Sequence, residues 1–305
     1  MSRSESPAAA HALQRALDEL VAGAAGSFAF YVHDVERGLR CSVRQDETFP
    51  AASVIKLPIM LCLLEMVQQG KARLEQTVPL REWHRTGGSG LFQYFHAGLE
   101  VTLEDACTAM VAISDNTATN LLLDVTGIEA VNRLLDRLEC PRTRLHRYFG
   151  KPEMPGPAGP SQAVPSEIGL LLERILRRDL LTPELNDLAV VMLRRQNHRA
   201  LIPRFLPEGT PVAHKTGSLN GVRHDAGIVW LPCGEGAGPA GATAEARERG
   251  RPPGRPVVFV GMSREVPDVR WTVENEAELT IARAARLVYD GLTRRPLPPL
   301  PRPPR

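Results

Sequence analysis

The chain has 305 residues, enough for two domains or one large one and for a sizeable core without disulfide or metal staples. Hydrophobic residues at 43 % and charged residues at 24 % exclude wholesale disorder and fibrous repeats. A net charge of +2, from 37 basic and 35 acidic side chains, with only 5 % aromatics, supplies neither the field nor the stacking surface of a nucleic-acid binder.

Residues 9–22 place Leu13, Leu17, Leu20 and Val21 on one helical face, and Gly23 and Gly26 end that helix. Phe28–Val32 reads as a strand, and Leu39, Cys41 and Val43 alternate as a second after a turn carrying Asp34 and Gly38. Ser53–Gln69 is apolar on nearly every side, the pattern of a buried helix, with Pro58 in its first turns where a missing N–H costs least. Further helices are expected at 102–113, 117–125, 128–139, 166–179 and 183–195. Short β-branched runs return at 212–216, 227–231 and 257–261, and a last helix covers 275–290.

A β-containing start, a helical middle and a β-containing end make one sheet from both chain ends the economical architecture. The expected parts are a sheet domain of residues 10–50 and 210–292, an all-helical domain of 51–209, and a proline-rich tail of 293–305. Residues 150–165 and 234–256 read as loops, the second as a hairpin insertion between two strands. The tail reads as disordered, with a polyproline II ligand for an SH3-like partner as the alternative. No internal repeat is present.

Five cysteines, Cys41, Cys62, Cys107, Cys140 and Cys233, form no CxxC and are read as buried thiols rather than a zinc or disulfide framework. No apolar run approaches the roughly 18 residues that span a bilayer, and none precedes Asp18 and Glu19. A cytoplasmic protein without membrane partners is therefore expected, or an exported one if the true start lies upstream. The eight histidines show no ligand spacing, so no metal or organic cofactor is expected.

Three motifs carry chemistry. Ser53-Val54-Ile55-Lys56 puts an amine one helical turn from a hydroxyl, and a serine needs a nearby base to become a nucleophile. A helix N-terminus and apolar surroundings both lower a lysine pKa, which suits Lys56 to that task. Ser114-Asp115-Asn116 stands at a helix junction, and Lys215-Thr216-Gly217 on a strand. Each is weak alone; the three in this order and context form one signal.

With these stretches the sequence resembles the class A β-lactamase superfamily of penicillin-recognising serine hydrolases, over about residues 10–292. The resemblance implies an α+β fold: an antiparallel sheet flanked by the N- and C-terminal helices, plus an inserted all-helical domain, with the site between them. It implies Ser53 as nucleophile, Lys56 as acylation base or relay, and Ser114 as the group passing a proton to the leaving nitrogen. Asn116 would hold the substrate's amide side chain. Lys215, Thr216 and Gly217 would bind the substrate carboxylate side, and the N–H groups of Ser53 and Ser218 would form the oxyanion hole.

The sequence also departs from the resemblance. The loop glutamate that activates water for deacylation is expected after Arg144–Tyr148, where the chain reads Phe149-Gly150-Lys151-Pro152-Glu153. Glu153 is either a displaced base or a solvated loop carboxylate. Glu167 reads as a helix N-terminal decoration, and Pro183-Glu184-Leu185-Asn186 as a coincidental copy of the missing motif. Arg223 is the candidate for the carboxylate-binding arginine, two or three residues out of register. His224-Asp225 reads as a strand-end histidine, with a catalytic pair as the alternative. A disulfide known in some members is not expected, because Met60 faces Cys107 and Cys62 is about 200° away on the helix.

The expected function is a serine hydrolase acylated at Ser53 by a small β-lactam, amide or ester, with weak deacylation. A D-alanyl-D-alanine peptidase or small-molecule esterase on the same site is the alternative, and a catalytically inactive penicillin-binding-like protein a further one. A monomer is the expected state.

Overall fold

In the computed structural model, residues 7–151, 159–232 and 251–293 are described. Helix α1 (Pro7–Ala22) leads into strands β1 (Ser27–Asp34), β2 (Leu39–Val43) and β3 (Phe49–Pro50). A 3₁₀ turn (Ala52–Ile55) and α2 (Lys56–Gln68) follow, then β4 (Thr77–Pro79), β5 (Glu100–Thr102), α3 (Leu103–Ala112), α4 (Asn116–Thr126) and α5 (Ile128–Arg137). After β6 (Gln162–Ala163) come α6 (Pro165–Arg177), α7 (Pro183–Arg194), β7 (Val212–Leu219), β8 (Val222–Leu231), β9 (Arg255–Arg264) and α8 (Glu276–Thr293).

The main sheet has the order β2-β1-β9-β8-β7 and is antiparallel throughout. The two ends of the chain meet where β1 pairs β9, Tyr31 opposite Val260. Side chains alternate across a strand, so each strand feeds two cores. Phe28, Phe30, Val32 and Phe259 pack with Leu13 and Leu17 of α1 and Ile281 and Val288 of α8. Ala29, Tyr31, Val258 and Val260 face the other way, into a larger core built from α2 to α7. Burial on both faces explains why the central strands read as continuous apolar runs. Gly169 of α6 lets that helix touch β1: a Cβ there would stand 2.4 Å from the Tyr31 ring.

Several strands run longer than expected, and two differences of extent shape the site. The strand expected at 227–231 begins at Val222, because Arg223, His224 and Asp225 are polar yet fully buried against internal partners. The helix expected from Ser53 is a 3₁₀ turn until Ile55 and α-helical only from Lys56. Four two- and three-residue strands, β3 to β6, are too short to leave a period in the sequence. Glu153, Cys233, residues 234–250 of the expected hairpin insertion and the tail from Pro296 lie outside the described residues. Cys41, Cys62, Cys107 and Cys140 are buried free thiols, and burial pushes them up to about 11 or 12. Among the described residues no helix is long and apolar enough to cross a membrane.

Candidate active site

Ser53 sits in the 3₁₀ turn that joins β3 to α2. Ala52 is held at φ 44°, a conformation costly for a residue with a Cβ, and this turns the chain sharply toward the sheet edge. The Ala51 N–H donates to Ser161 O at 2.7 Å, and the His224 ring pins the Pro50 carbonyl at 2.7 Å. In a 3₁₀ turn residues i and i+3 eclipse, so Ser53 and Lys56 stack on one side.

Lys56 is wholly buried at the start of α2. Its Nζ lies 2.8 Å from Ser114 O, 3.1 Å from Ser114 Oγ and 2.7 Å from Asn116 Oδ1. All three partners are uncharged. Burial first, then the nearby Lys215 cation, hold its pKa well below the ordinary lysine range, against a weaker opposing pull from Asp115. Ser114 reaches the amine because its backbone is left-handed, at φ 56°. Asp115 turns away and caps α4: Oδ1 accepts from the Ala118 N–H, and Oδ2 from those of Leu91 and Phe92. The middle residue of Ser-Asp-Asn thus fastens the overlying 87–95 loop to α4.

On the other wall, β7 lies against the nucleophile turn. A Cβ on Gly217 would stand 2.9 Å from Ser53 N and 3.1 Å from Val54 N, so only glycine permits this approach. Lys215 is fully buried, with its Nζ donating to Thr216 O at 2.8 Å; burial lowers it to about 7. Two clefts meet at Ser53 and Ser218. One, of about 470 Å³, runs past Ser114, Thr216 and Gly217; the other, of about 500 Å³, runs past Asn116, Phe149 and Ser161.

Phe149 is the residue that sequence reasoning passed over. Its ring lies 4.5 Å from Lys56 Nζ. Asn120 fixes it there: its Oδ1 accepts from Phe149 N–H at 2.8 Å, and its Nδ2 donates to Phe149 O at 3.0 Å and to His84 O at 3.1 Å. An aromatic ring therefore covers the amine from the loop in which a glutamate was expected.

The sequence profile of the β-lactamase enzyme family matches residues 12–245. The chain belongs to that family. A β-lactamase of Streptomyces fradiae is 29 % identical over 92 % of this chain and 85 % of its own, and the L2 β-lactamase of Stenotrophomonas maltophilia is 30 % identical over 68 % and 70 %. Among solved structures, a β-lactamase of Sphaerobacter thermophilus superposes with a TM-score of 0.75 at 28 % identity, covering 93 % of this chain and 96 % of that one. A leucine-to-glutamate variant of PBP-A, an acyl-enzyme with penicillin G, superposes with a TM-score of 0.78 at 25 % identity, covering 92 % and 96 %. These likenesses establish a β-lactamase-like serine hydrolase with the class A fold.

Against this family frame, several expected residues stand elsewhere than the sequence implied. Arg223 is 1 % exposed, and its guanidinium donates to Glu278 Oε1 at 3.1 Å and to the carbonyls of Leu219, Val222 and Arg270. It lines neither cleft, so it presents no free donor to a substrate carboxylate. His224 and Asp225 are not partners. His224 Nε2 lies 2.7 Å from Pro50 O, Nδ1 lies 2.8 Å from Arg223 O and 3.2 Å from Ser263 N, and burial lowers the ring to about 4. Asp225 instead faces His214 Nδ1 at 2.8 Å and accepts from Ile202 N–H at 3.0 Å. Neighbours on a strand point to opposite faces, which separates them. Glu167 accepts from the N–H groups of Arg142 and Thr143, and Glu184 lies in the first turn of α7. Trp271 and Glu278, which no motif marks, line the cleft at Ser114.

Proposed function

We propose that this family member acts through an acyl-enzyme at Ser53 and releases the acyl group slowly. The observation that carries the proposal is the Lys56 amine, buried among uncharged oxygens beside the nucleophile turn and repelled by a second buried lysine. A neutral amine donates two hydrogens, to Ser114 O and Asn116 Oδ1, and leaves its lone pair for a hydroxyl proton. Ser53 Oγ attacks the substrate carbonyl and its proton passes to Lys56. The backbone N–H groups of Ser53 and Ser218 hold the oxyanion, each such donor being worth about 10²–10³ in rate. The tetrahedral intermediate collapses as the C–N or C–O bond breaks, and Ser114 Oγ delivers the proton to the leaving atom while taking one from Lys56. Thr216 lines the leaving-group side.

Slow release rests on Phe149. Deacylation needs a base that activates water, and splitting acyl transfer in two helps only if both halves are catalysed. Around Lys56 the place from which a carboxylate would work is filled by an aromatic ring held by Asn120. The only carboxylate among the described lining residues, Glu278, is paired with Arg223. A D-alanyl-D-alanine peptidase on the same residues is the second reading; the likeness to PBP-A, solved as an acyl-enzyme with penicillin G, supports the acylation that both readings share.

The test is the intact mass of the protein over minutes to hours with benzylpenicillin, with Ser53→Ala alongside. The expected result is an adduct on the native chain that persists and is absent from the variant. An adduct that forms and clears within seconds defeats slow release, and an adduct on Ser53→Ala defeats the assignment of the nucleophile.

A further inference from the structure

Among the described residues, the large apolar side chains left open to water gather in one region of the surface. Leu91, Tyr94 and Phe95 stand on the 87–95 loop, Val269, Trp271 and Val273 on the 268–275 loop, and Leu219 at the end of β7. Tyr94 is 74 % exposed and Trp271 66 %. Ser89 of the first loop and Trp271 of the second line both clefts, so the two loops flank the mouth above Ser53. Neither loop is slack. Asp115 Oδ2 accepts from the N–H groups of Leu91 and Phe92, and Gln93 Nε2 donates to Gly88 O at 3.1 Å and Gly90 O at 3.0 Å. Across the mouth, Asn275 Nδ2 donates to the carbonyls of Asp268 and Arg270 at 2.9 Å, and Trp271 Nε1 to Asn220 Oδ1 at 3.3 Å. The Arg223 guanidinium covers one face of the Trp271 ring and leaves the rest of it open. Apolar groups held open on fixed backbone, and concentrated beside a cleft, mark a binding surface.

This rim is continuous with the acyl-side cleft of about 500 Å³, whose apolar lining includes Ile55, Tyr148, Phe149, Leu219 and Trp271. Leu219 and Trp271 belong to both, so apolar surface runs from the nucleophile turn out to water. The exposed groups surround an open cleft instead of forming one unbroken face, which favours a chain leaving Ser53 over a flat protein or membrane surface. We propose that the substrate is an amphiphile, an ester or amide of a long apolar acyl chain that lies along this cleft and across the rim. This deepens the acyl-enzyme reading and rests on it, because that reading makes the Asn116 and Phe149 cleft the acyl side. With an ester, Ser53 Oγ bonds to the acyl carbon, the C–O bond to the alcohol breaks, and the hydroxyl proton leaves with the alcohol.

The p-nitrophenyl esters of butanoate, hexanoate and octanoate, kept below their micelle concentrations, test it. Their carbonyls are equally reactive, so the chain alone varies. Acylation is read as the p-nitrophenolate burst and as the intact mass of the adduct, with Ser53→Ala as background. A methylene taken wholly out of water is worth about fourfold, and half-covered ones about twofold, so octanoate should acylate at least about tenfold faster than butanoate. In the double variant Leu91→Ser, Tyr94→Ser the octanoate-to-butanoate ratio should fall at least threefold. If that variant does not fold, the native series decides alone. A ratio that the folded variant keeps overturns the rim. Rates that are flat or fall with chain length overturn the long-chain substrate while leaving the acyl-enzyme reading standing. A flat series with sedimentation on phosphatidylcholine vesicles gives the rim to a membrane, and with a dimer in ultracentrifugation to a second copy; either overturns the proposal. No adduct from any of these esters or from benzylpenicillin overturns the acyl-enzyme reading instead.

Discussion

Lys56 and Lys215 are both fully buried and face the site from opposite walls, and two amines so placed cannot both hold a proton cheaply. The division that suits acyl transfer is a neutral Lys56 and a charged Lys215. Lys56 is neutral above its own strongly lowered pKa, and Lys215 is charged below about 7. The acylation rate should therefore be level on the acid side of pH 7 and fall on the alkaline side. Lys215→Gln should be slower and lack that fall. A rate that climbs through pH 7 would assign Lys215 the role of base. Phe149 makes a second residue-scale prediction. Phe149→Glu should clear the penicillin adduct at least tenfold faster than the native chain, while forming it more slowly, because a carboxylate beside Lys56 raises the amine's pKa. Phe149→Leu should keep the adduct. Unchanged lifetimes in Phe149→Glu would show that the loop does not control water.

At the scale of elements, the site is a contact between β7 and the 3₁₀ turn, and Gly217 sets its closeness. Gly217→Ala must push strand and turn apart by several tenths of an ångström, and misplacement of reacting groups on this scale costs about 10² in rate. Acylation should fall by that order while the melting temperature changes little; a variant acylated as fast as native protein would remove Gly217 from the site. Helices were the most legible elements, since α3 to α7 keep an apolar stripe that survives whatever packs against it. The start of β8 was not legible. Arg223-His224-Asp225 looks like a polar loop until the partners that bury each side chain are in place, and these come from β3, α8 and the 201–206 segment. Expecting a carboxylate-binding role for Arg223 failed for the same reason: burial and four acceptors are properties of the fold, not of the tripeptide.

For the whole molecule, burying amines and a histidine uncharged sets a cost on folding that depends on pH. The pKa of Lys215 falls on folding from an ordinary 10.5 to about 7, so below pH 10.5 the unfolded chain takes up a proton that the folded one refuses. Stability from this group is therefore lost as pH falls from 10.5 to 7, on the order of 5 kcal/mol in full. His224, lowered to about 4, adds a loss between pH 6.5 and 4, on the order of 3 kcal/mol. Lys215→Met should accordingly melt higher than the native protein and show a flatter dependence of melting temperature on pH between 7 and 10. A lower melting temperature at both ends would mean that the charged lysine is held by a partner.

Helical and strand periods, the order of Ser53-x-x-Lys56, Ser114-Asp115-Asn116 and Lys215-Thr216-Gly217, and the absence of a glutamate directly after Tyr148 were all present in the sequence, because each is a local pattern or a short motif. The ring of Phe149 over Lys56, the seclusion of Arg223 and the gathering of exposed apolar side chains at the cleft mouth were decided only in the tertiary structure. Each depends on residues tens to hundreds of positions apart being brought together, where burial and the loss of water fix which amine is neutral and which apolar side chains stay open. No window along the chain contains that information.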